Sequence, residues 1–181
     1  DYRLAPEHPF PAAPKDVLAA YRALRADGPV MVAGDSAGGC LALGLLHWCA
    51  RAALQPPDAL ALLSPIADLD LAKGGFQNRL ASEILIPARW GRRAIAAYLQ
   101  DHEPLDPLDS PLAAFMLAAP PTVIQYAREE ALAPDARRAA DALERAGGSV
   151  QSETYPGMPH VWQIHAGRSH TADDAIASLG T

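Results

Sequence analysis

Ser36 lies in the stretch Val-Met-Val-Ala-Gly-Asp-Ser-Ala-Gly-Gly-Cys at residues 30–40, with Gly34 two positions before it and Gly38 two after. A serine hydroxyl becomes a competent nucleophile when a base takes its proton and a third group orients that base. The best-placed base candidate is His160, in the tight frame Tyr-Pro-Gly-Met-Pro-His-Val-Trp; His165 and His170 follow, the latter near the tail. Carboxylates that could orient the base are Glu129, Glu130 and Asp135. Glu129 and Glu130 are adjacent, so only one can face a given imidazole, and spacing alone leaves the choice open. Asp135 follows Pro134 in the first turn of a predicted helix, where its expected role is to complement the helix dipole. Such a set would perform acyl transfer to water, with no metal and no cofactor.

The elements around Ser36 decide which machinery it fits. Val30 to Ala33 is a short apolar run that reads as a buried strand, and Cys40 to Leu54 is apolar nearly all round, as in a buried helix. Strand, glycine turn, serine, helix is the G-x-S-x-G elbow, in which a strained turn exposes the hydroxyl at the C-terminal edge of a sheet. The glycines are expected because side chains in so sharp a turn would collide. The helix behind Ser36 aims free amides and the positive end of its dipole at developing negative charge. A chymotrypsin-like protease would be antiparallel β throughout, with its histidine before its serine; this chain does not fit that description.

Further strands are predicted at 1–4, 59–63, 122–126 and 150–155, and further helices at 15–26, 134–146 and 173–179, with helical pieces over 81–100 cut at Pro87. Alternating strands and helices with apolar strands imply an α/β fold, a mostly parallel sheet with helices on both faces. Residues 1–181 read as one domain, in which 65–119 contains a cap-like excursion. Four aromatic or thioether side chains, Phe76, Trp90, Met116 and Trp162, are candidates for an acyl pocket, with ordinary packing the simpler expectation. The acidic loop at 106–109 reads as solvated surface.

The chain has 181 residues, 50% of them hydrophobic and 20% charged, with a net charge of −6 and no basic cluster. That balance suits a globular core and argues against nucleic acid as a partner. No apolar run approaches the ~18 residues of a membrane span. Cys40 and Cys49 fall in one predicted helix, about 13 Å apart along its axis and too far for a disulfide. They read as small core residues, and this cysteine usage fits a reducing, cytoplasmic setting.

Four separated motifs, "DYRLAPEHPFPAA", "VAGDSAGG", "LLSPIADL" and "TYPGMPHVW", together resemble the hormone-sensitive-lipase-like branch of the α/β-hydrolases, the bacterial type IV carboxylesterases. The resemblance spans essentially the whole chain, with the motifs in the family's order. It implies Ser36 as nucleophile, His160 as general base and the N–H of Ala37 as one oxyanion donor. It also selects Glu130, which heads the Glu130-Ala131-Leu132 segment matching the family's Asp/Glu-x-Leu, over Glu129. The family draws its other oxyanion donors from a His-Gly-Gly-Gly segment that does not occur here, so the chain is expected to be the C-terminal part of the fold, lacking N-terminal strands and part of the cap. Ala127 stands where glycine is common, a difference that bears on the placement of Glu130.

The implied activity is hydrolysis of small to medium acyl esters by a Ser-His-Glu triad, with a small-molecule ester as partner. An impaired fragment is one alternative. A receptor-like binding member is another, and the presence of His160 argues against it, because the gibberellin receptors of this family lack the histidine. An amidase or peptidase on the same fold would use the same acyl-enzyme chemistry.

Overall fold

The computed structural model describes residues 1–70, 72–73, 85–100, 102, 110–113 and 119–180. Phe76, Met116 and the acidic loop at 106–109 lie outside the described residues, as does much of the 65–119 excursion.

Four strands, β1 (Met31–Asp35), β2 (Ala59–Leu63), β3 (Thr122–Ala127) and β4 (Val150–Tyr155), form one sheet in the order β1-β2-β3-β4. Every pairing is parallel. The helices are α1 (Ala12–Arg25), α2 (Ala37–Arg51), α3 (Ala88–Leu99), α4 (Ala133–Arg145) and α5 (His170–Ser178).

Alternation along the strands sorts the layers. Leu60, Leu62, Ile124 and Tyr126 point to one face and pack with Leu43 and Leu46 of α2 and with Ala136, Ala139, Ala140 and Leu143 of α4. The alanines recur at helical spacing and let α4 approach closely, so its buried stripe is narrow but fully used. On the same face Leu18 and Tyr21 of α1 pack with Leu45 and Cys49 of α2. The other face is reached by Gln125, whose side-chain amide donates to Ala175 O (2.6 Å) and Ser178 Oγ (2.8 Å) of α5. Trp162 packs there with Ala127, Ala172 and Ala175. Helices therefore cover both faces, as expected of an α/β sheet.

Residues 1–4 are not a strand. The N–H of Arg3 is spent on Asp16 Oδ2 (2.9 Å), and its guanidinium engages both oxygens of the same carboxylate. A backbone donor committed to a side chain on α1 cannot serve a ladder. Three helices, α1, α2 and α5, each begin three residues earlier than their apolar periodicity implied. α1 starts at Ala12 because Pro14 falls in its first turn, where a missing N–H costs nothing. α2 starts at Ala37, taking Gly38 and Gly39 into its first turn rather than leaving them as loop. Pro87 delimits α3, as its position predicts.

A buried polar network ties the exit of β2 to α4. Asp135 is fully buried; its carboxylate accepts from the N–H groups of Ala67 (3.0 Å) and Asp68 (3.3 Å) and pairs with Arg138 (2.7 Å). Arg138 also reaches Asp68 (3.0 Å), which accepts from Ser110 Oγ (3.1 Å). Burial raises the pKa of Asp135, and the hydrogen bonds and Arg138 oppose that rise. Its place in the first turn of α4 suits the dipole role, but its carboxylate chiefly serves the neighbouring loop. Removing one partner from a buried charged network leaves the others uncompensated. Asp135→Ala should therefore lower stability by about 3 kcal/mol or more, measured by urea unfolding.

Candidate active site

Ser36 sits between β1 and α2 with φ +50° and ψ −114°, a region an L side chain rarely adopts. Neighbouring backbone holds it there. Its N–H donates to Leu63 O (2.9 Å), and its carbonyl accepts from Ile66 N–H (3.0 Å) and Cys40 N–H (3.3 Å). The glycines around it are not equivalent. A Cβ on Gly34 would come within 2.3 Å of Gly38 O, and one on Gly39 within 2.7 Å of the Pro65 side chain. A Cβ on Gly38 would meet only Asp35 Oδ1, at 4.0 Å. The expectation that both flanking glycines prevent side-chain collisions therefore holds for Gly34, while the second crowded position is Gly39. Ala37 opens α2, so its N–H has no intrahelical acceptor.

His160 and Glu130 come together. His160 Nδ1 lies 2.9 Å from Glu130 Oε2, with the two residues 5% and 2% exposed. The carboxylate accepts the Nδ1 proton, which leaves Nε2 as the basic nitrogen; Nε2 has no hydrogen-bond partner among the described residues. Ser36 and His160 line one cavity of about 660 Å³, together with Asp35, Arg89, Arg93 and Ile164. A second cavity of about 420 Å³ also opens at Ser36 and is largely apolar, walled by Cys40, Leu69, Ile95, Tyr98 and Trp90.

Glu129 points elsewhere: its Oε2 accepts the Gly157 N–H at 2.9 Å, bracing the Pro-Gly-Met-Pro turn that carries His160. His165 and His170 are exposed. Ala127 ends β3 fully buried, and its carbonyl accepts the Glu130 N–H (3.4 Å), so Glu130 reaches His160 without a glycine at that position. Of the candidate pocket aromatics, Trp90 lines both cavities. Trp162 is buried against Tyr155, their ring centroids 4.7 Å apart, and packs in the core. The two cysteines are unpaired by disulfide and buried, and burial pushes the Cys49 thiol up to about 11.

Two polar residues near the site were given no role by the sequence, although Ser64 falls within the "LLSPIADL" motif. Ser64, fully buried at φ +49°, accepts the Val161 N–H on its Oγ at 3.2 Å. Gln125 accepts the Gln163 side-chain amide at 3.0 Å. A serine after a buried strand and a glutamine inside one were the available signals, and neither indicates a partner distant in sequence.

Comparison with known proteins places this architecture. A family model described as alpha/beta hydrolase fold matches residues 1–164. The chain belongs to the α/β-hydrolase family. Within it, the similarity is to the hormone-sensitive-lipase-like branch. An esterase from the bacterial hormone-sensitive lipase family superposes with a TM-score of 0.92 at 36% identity, over 99% of this chain and 62% of that one. A hormone-sensitive lipase from a metagenome library gives a TM-score of 0.91 at 36% identity, over 99% and 63%. By sequence, this α/β-hydrolase is 41% identical to an acetyl-hydrolase of Streptomyces hygroscopicus over 89% of the chain and 55% of that protein. It is 36% identical to the carboxylesterase/phospholipase LipF of Mycobacterium tuberculosis over 99% and 51%. The chain thus spans roughly half to three-fifths of the length of these proteins.

Two outcomes follow from the geometry of the elbow and of its neighbouring N-terminal segment. Gly39→Ala should destabilise by about 1–3 kcal/mol through overpacking, whereas Gly38→Ala should be neutral or stabilise by up to about 1 kcal/mol; thermal unfolding of both variants checks this. Arg3 holds the Asp16 carboxyl down to about 2 from 3.8. The clamp is complete above 3.8 and is lost as pH falls through about 2. Arg3→Ala should raise the Asp16 pKa part of the way towards its ordinary value in a side-chain NMR titration, because the backbone N–H of residue 3 still donates to the carboxylate.

Proposed function

We propose that this α/β-hydrolase chain carries the triad of a serine carboxylic ester hydrolase: Ser36 the nucleophile, His160 the general base and Glu130 the acid that orients it. The observation that carries the reading is the buried 2.9 Å contact between Glu130 and His160 Nδ1; Nε2 has no hydrogen-bond partner among the described residues, and His160 lines one cavity with Ser36. In the reaction, His160 Nε2 takes the Ser36 proton as Oγ attacks the ester carbonyl. The tetrahedral oxyanion is met by the N–H of Ala37, with donors from outside these residues completing the hole. Collapse passes the proton from His160 to the departing alcohol and leaves an acyl-serine. Water, deprotonated by the same nitrogen, then releases the acid. No step calls for a metal or cofactor. An Nε2 without a partner before substrate arrives suits a site that tightens only in the complex.

The apolar cavity of about 420 Å³ beside Ser36 supports acyl groups of small to medium size, as does the esterase activity named for the relatives. We assign a single domain in which residues 65–119 contain a cap-like excursion, because α3 from that stretch walls both cavities. No described helix is long and apolar enough to cross a membrane; a small ester as partner and a cytoplasmic location complete the reading.

In the full-length protein, Ser36→Ala and His160→Ala should each lower kcat on p-nitrophenyl butyrate by ~10⁴-fold or more, and Glu130→Gln by ~10⁴-fold through the wrong tautomer. Hydrolysis that survives His160→Ala would overturn the assignment.

A further inference from the structure

We infer that Ser64 is a positioning residue that sets the distance between nucleophile and base, an inference that rests on the triad reading above. The peptide joining Leu63 to Ser64 at the exit of β2 serves both partners. On one side the Leu63 carbonyl accepts the N–H of Ser36 at 2.9 Å. On the other, Ser64 Oγ accepts the N–H of Val161, the residue after His160, at 3.2 Å. Two adjacent residues of one strand end thus hold the backbones that present Oγ and the imidazole.

Three further observations make this more than a chance contact. Ser64 has φ +49°, a conformation glycine adopts freely and serine does not. What serine offers over glycine there is its hydroxyl oxygen, and that oxygen meets a buried donor. Val161 itself is left-handed, at φ +49° and ψ +46°, a bend unfavourable for a β-branched residue, so its N–H needs a fixed acceptor to hold the turn. Finally, Ser64 is itself pinned: its N–H donates to Gln125 O at 2.7 Å, and the Gln125 side chain accepts from Gln163, three residues beyond His160. The base loop is therefore fastened at Val161 to the exit of β2 and at Gln163 to β3.

Misplacing a catalytic group by about 1 Å costs up to ~10²-fold in rate, while the substrate cavities need not change. The informative variant is Ser64→Gly, which relieves the backbone conformation while removing the acceptor. In the full-length protein it should keep Tm within about 3 °C, hold KM for p-nitrophenyl butyrate within about twofold, and lower kcat by ~10–100-fold. The rate of Ser36 phosphonylation by a p-nitrophenyl phosphonate should fall in parallel, because that step also needs the base. Ser64→Ala should lose kcat similarly while losing more Tm. A Ser64→Gly kcat within twofold of the unaltered protein, or a loss of kcat that merely tracks Tm across the two variants, overturns the inference. His160→Ala measured alongside separates the failures: if it remains active the triad reading falls, and if it is inactive while Ser64→Gly is unimpaired only the role of Ser64 falls.

Discussion

At the exit of β1 the chain reverses so sharply that the Gly34 backbone lies against that of Gly38, with no room for a methyl group between them. The rest of the site depends on that closure. It brings the start of α2 directly behind Ser36, where the helix's first amides have no intrahelical acceptors. It also sets Ser36 against the end of β2, whose Leu63 carbonyl and Ile66 amide take up its backbone polar groups. A strained residue persists only where its surroundings over-determine it; here three backbone hydrogen bonds do so.

The partner side of the site is built differently. Glu130 and His160 come from the loops after β3 and β4, and each relies on side chains for its position. Glu129 braces the turn before His160 through Gly157, while Ser64 and Gln125 grip the turn after it. Ser36 is thus placed by main chain, and the turns around His160 by polar side chains, of which Ser64, Gln125 and Gln163 are buried and costly to leave half-satisfied. A separate buried network around Asp135 holds the segment following β2, anchoring the root of the excursion from which α3 comes.

The legibility of the sequence followed the same division. Local signals worked where local physics decides: the runs at 59–63 and 122–126 and the period-two alternation at 150–155 became β2, β3 and β4, and Gly147-Gly148 ended α4. The serine in its glycines and the histidine in its proline frame stood out because tight turns restrict residue choice. The adjacent Glu129 and Glu130 could not be separated by spacing, since which one faces the imidazole depends on how β3 ends beside β4, a tertiary matter. The role of Ser64, though it stands in the "LLSPIADL" motif, was not legible, because a left-handed serine is not distinguishable from any other serine in a string of letters. Residues 1–4 misled, because their strand-like composition is overruled by Asp16, thirteen residues away.

Spatial order in the sheet equals chain order, so each strand closes onto its predecessor through a single crossover. The crossover from β2 to β3, residues 64–121, holds 58 residues, against 23 for residues 36–58 between β1 and β2. For a flexible connection, that difference costs only about 0.8 kcal/mol of closure entropy. The excursion can thus be lengthened, shortened or exchanged at little thermodynamic expense, provided its two ends leave and re-enter the sheet where Asp135 and Thr122 hold them. New cavity walls could accordingly be grafted at this one junction, leaving the strand ends beside Ser36, Glu130 and His160 as they are.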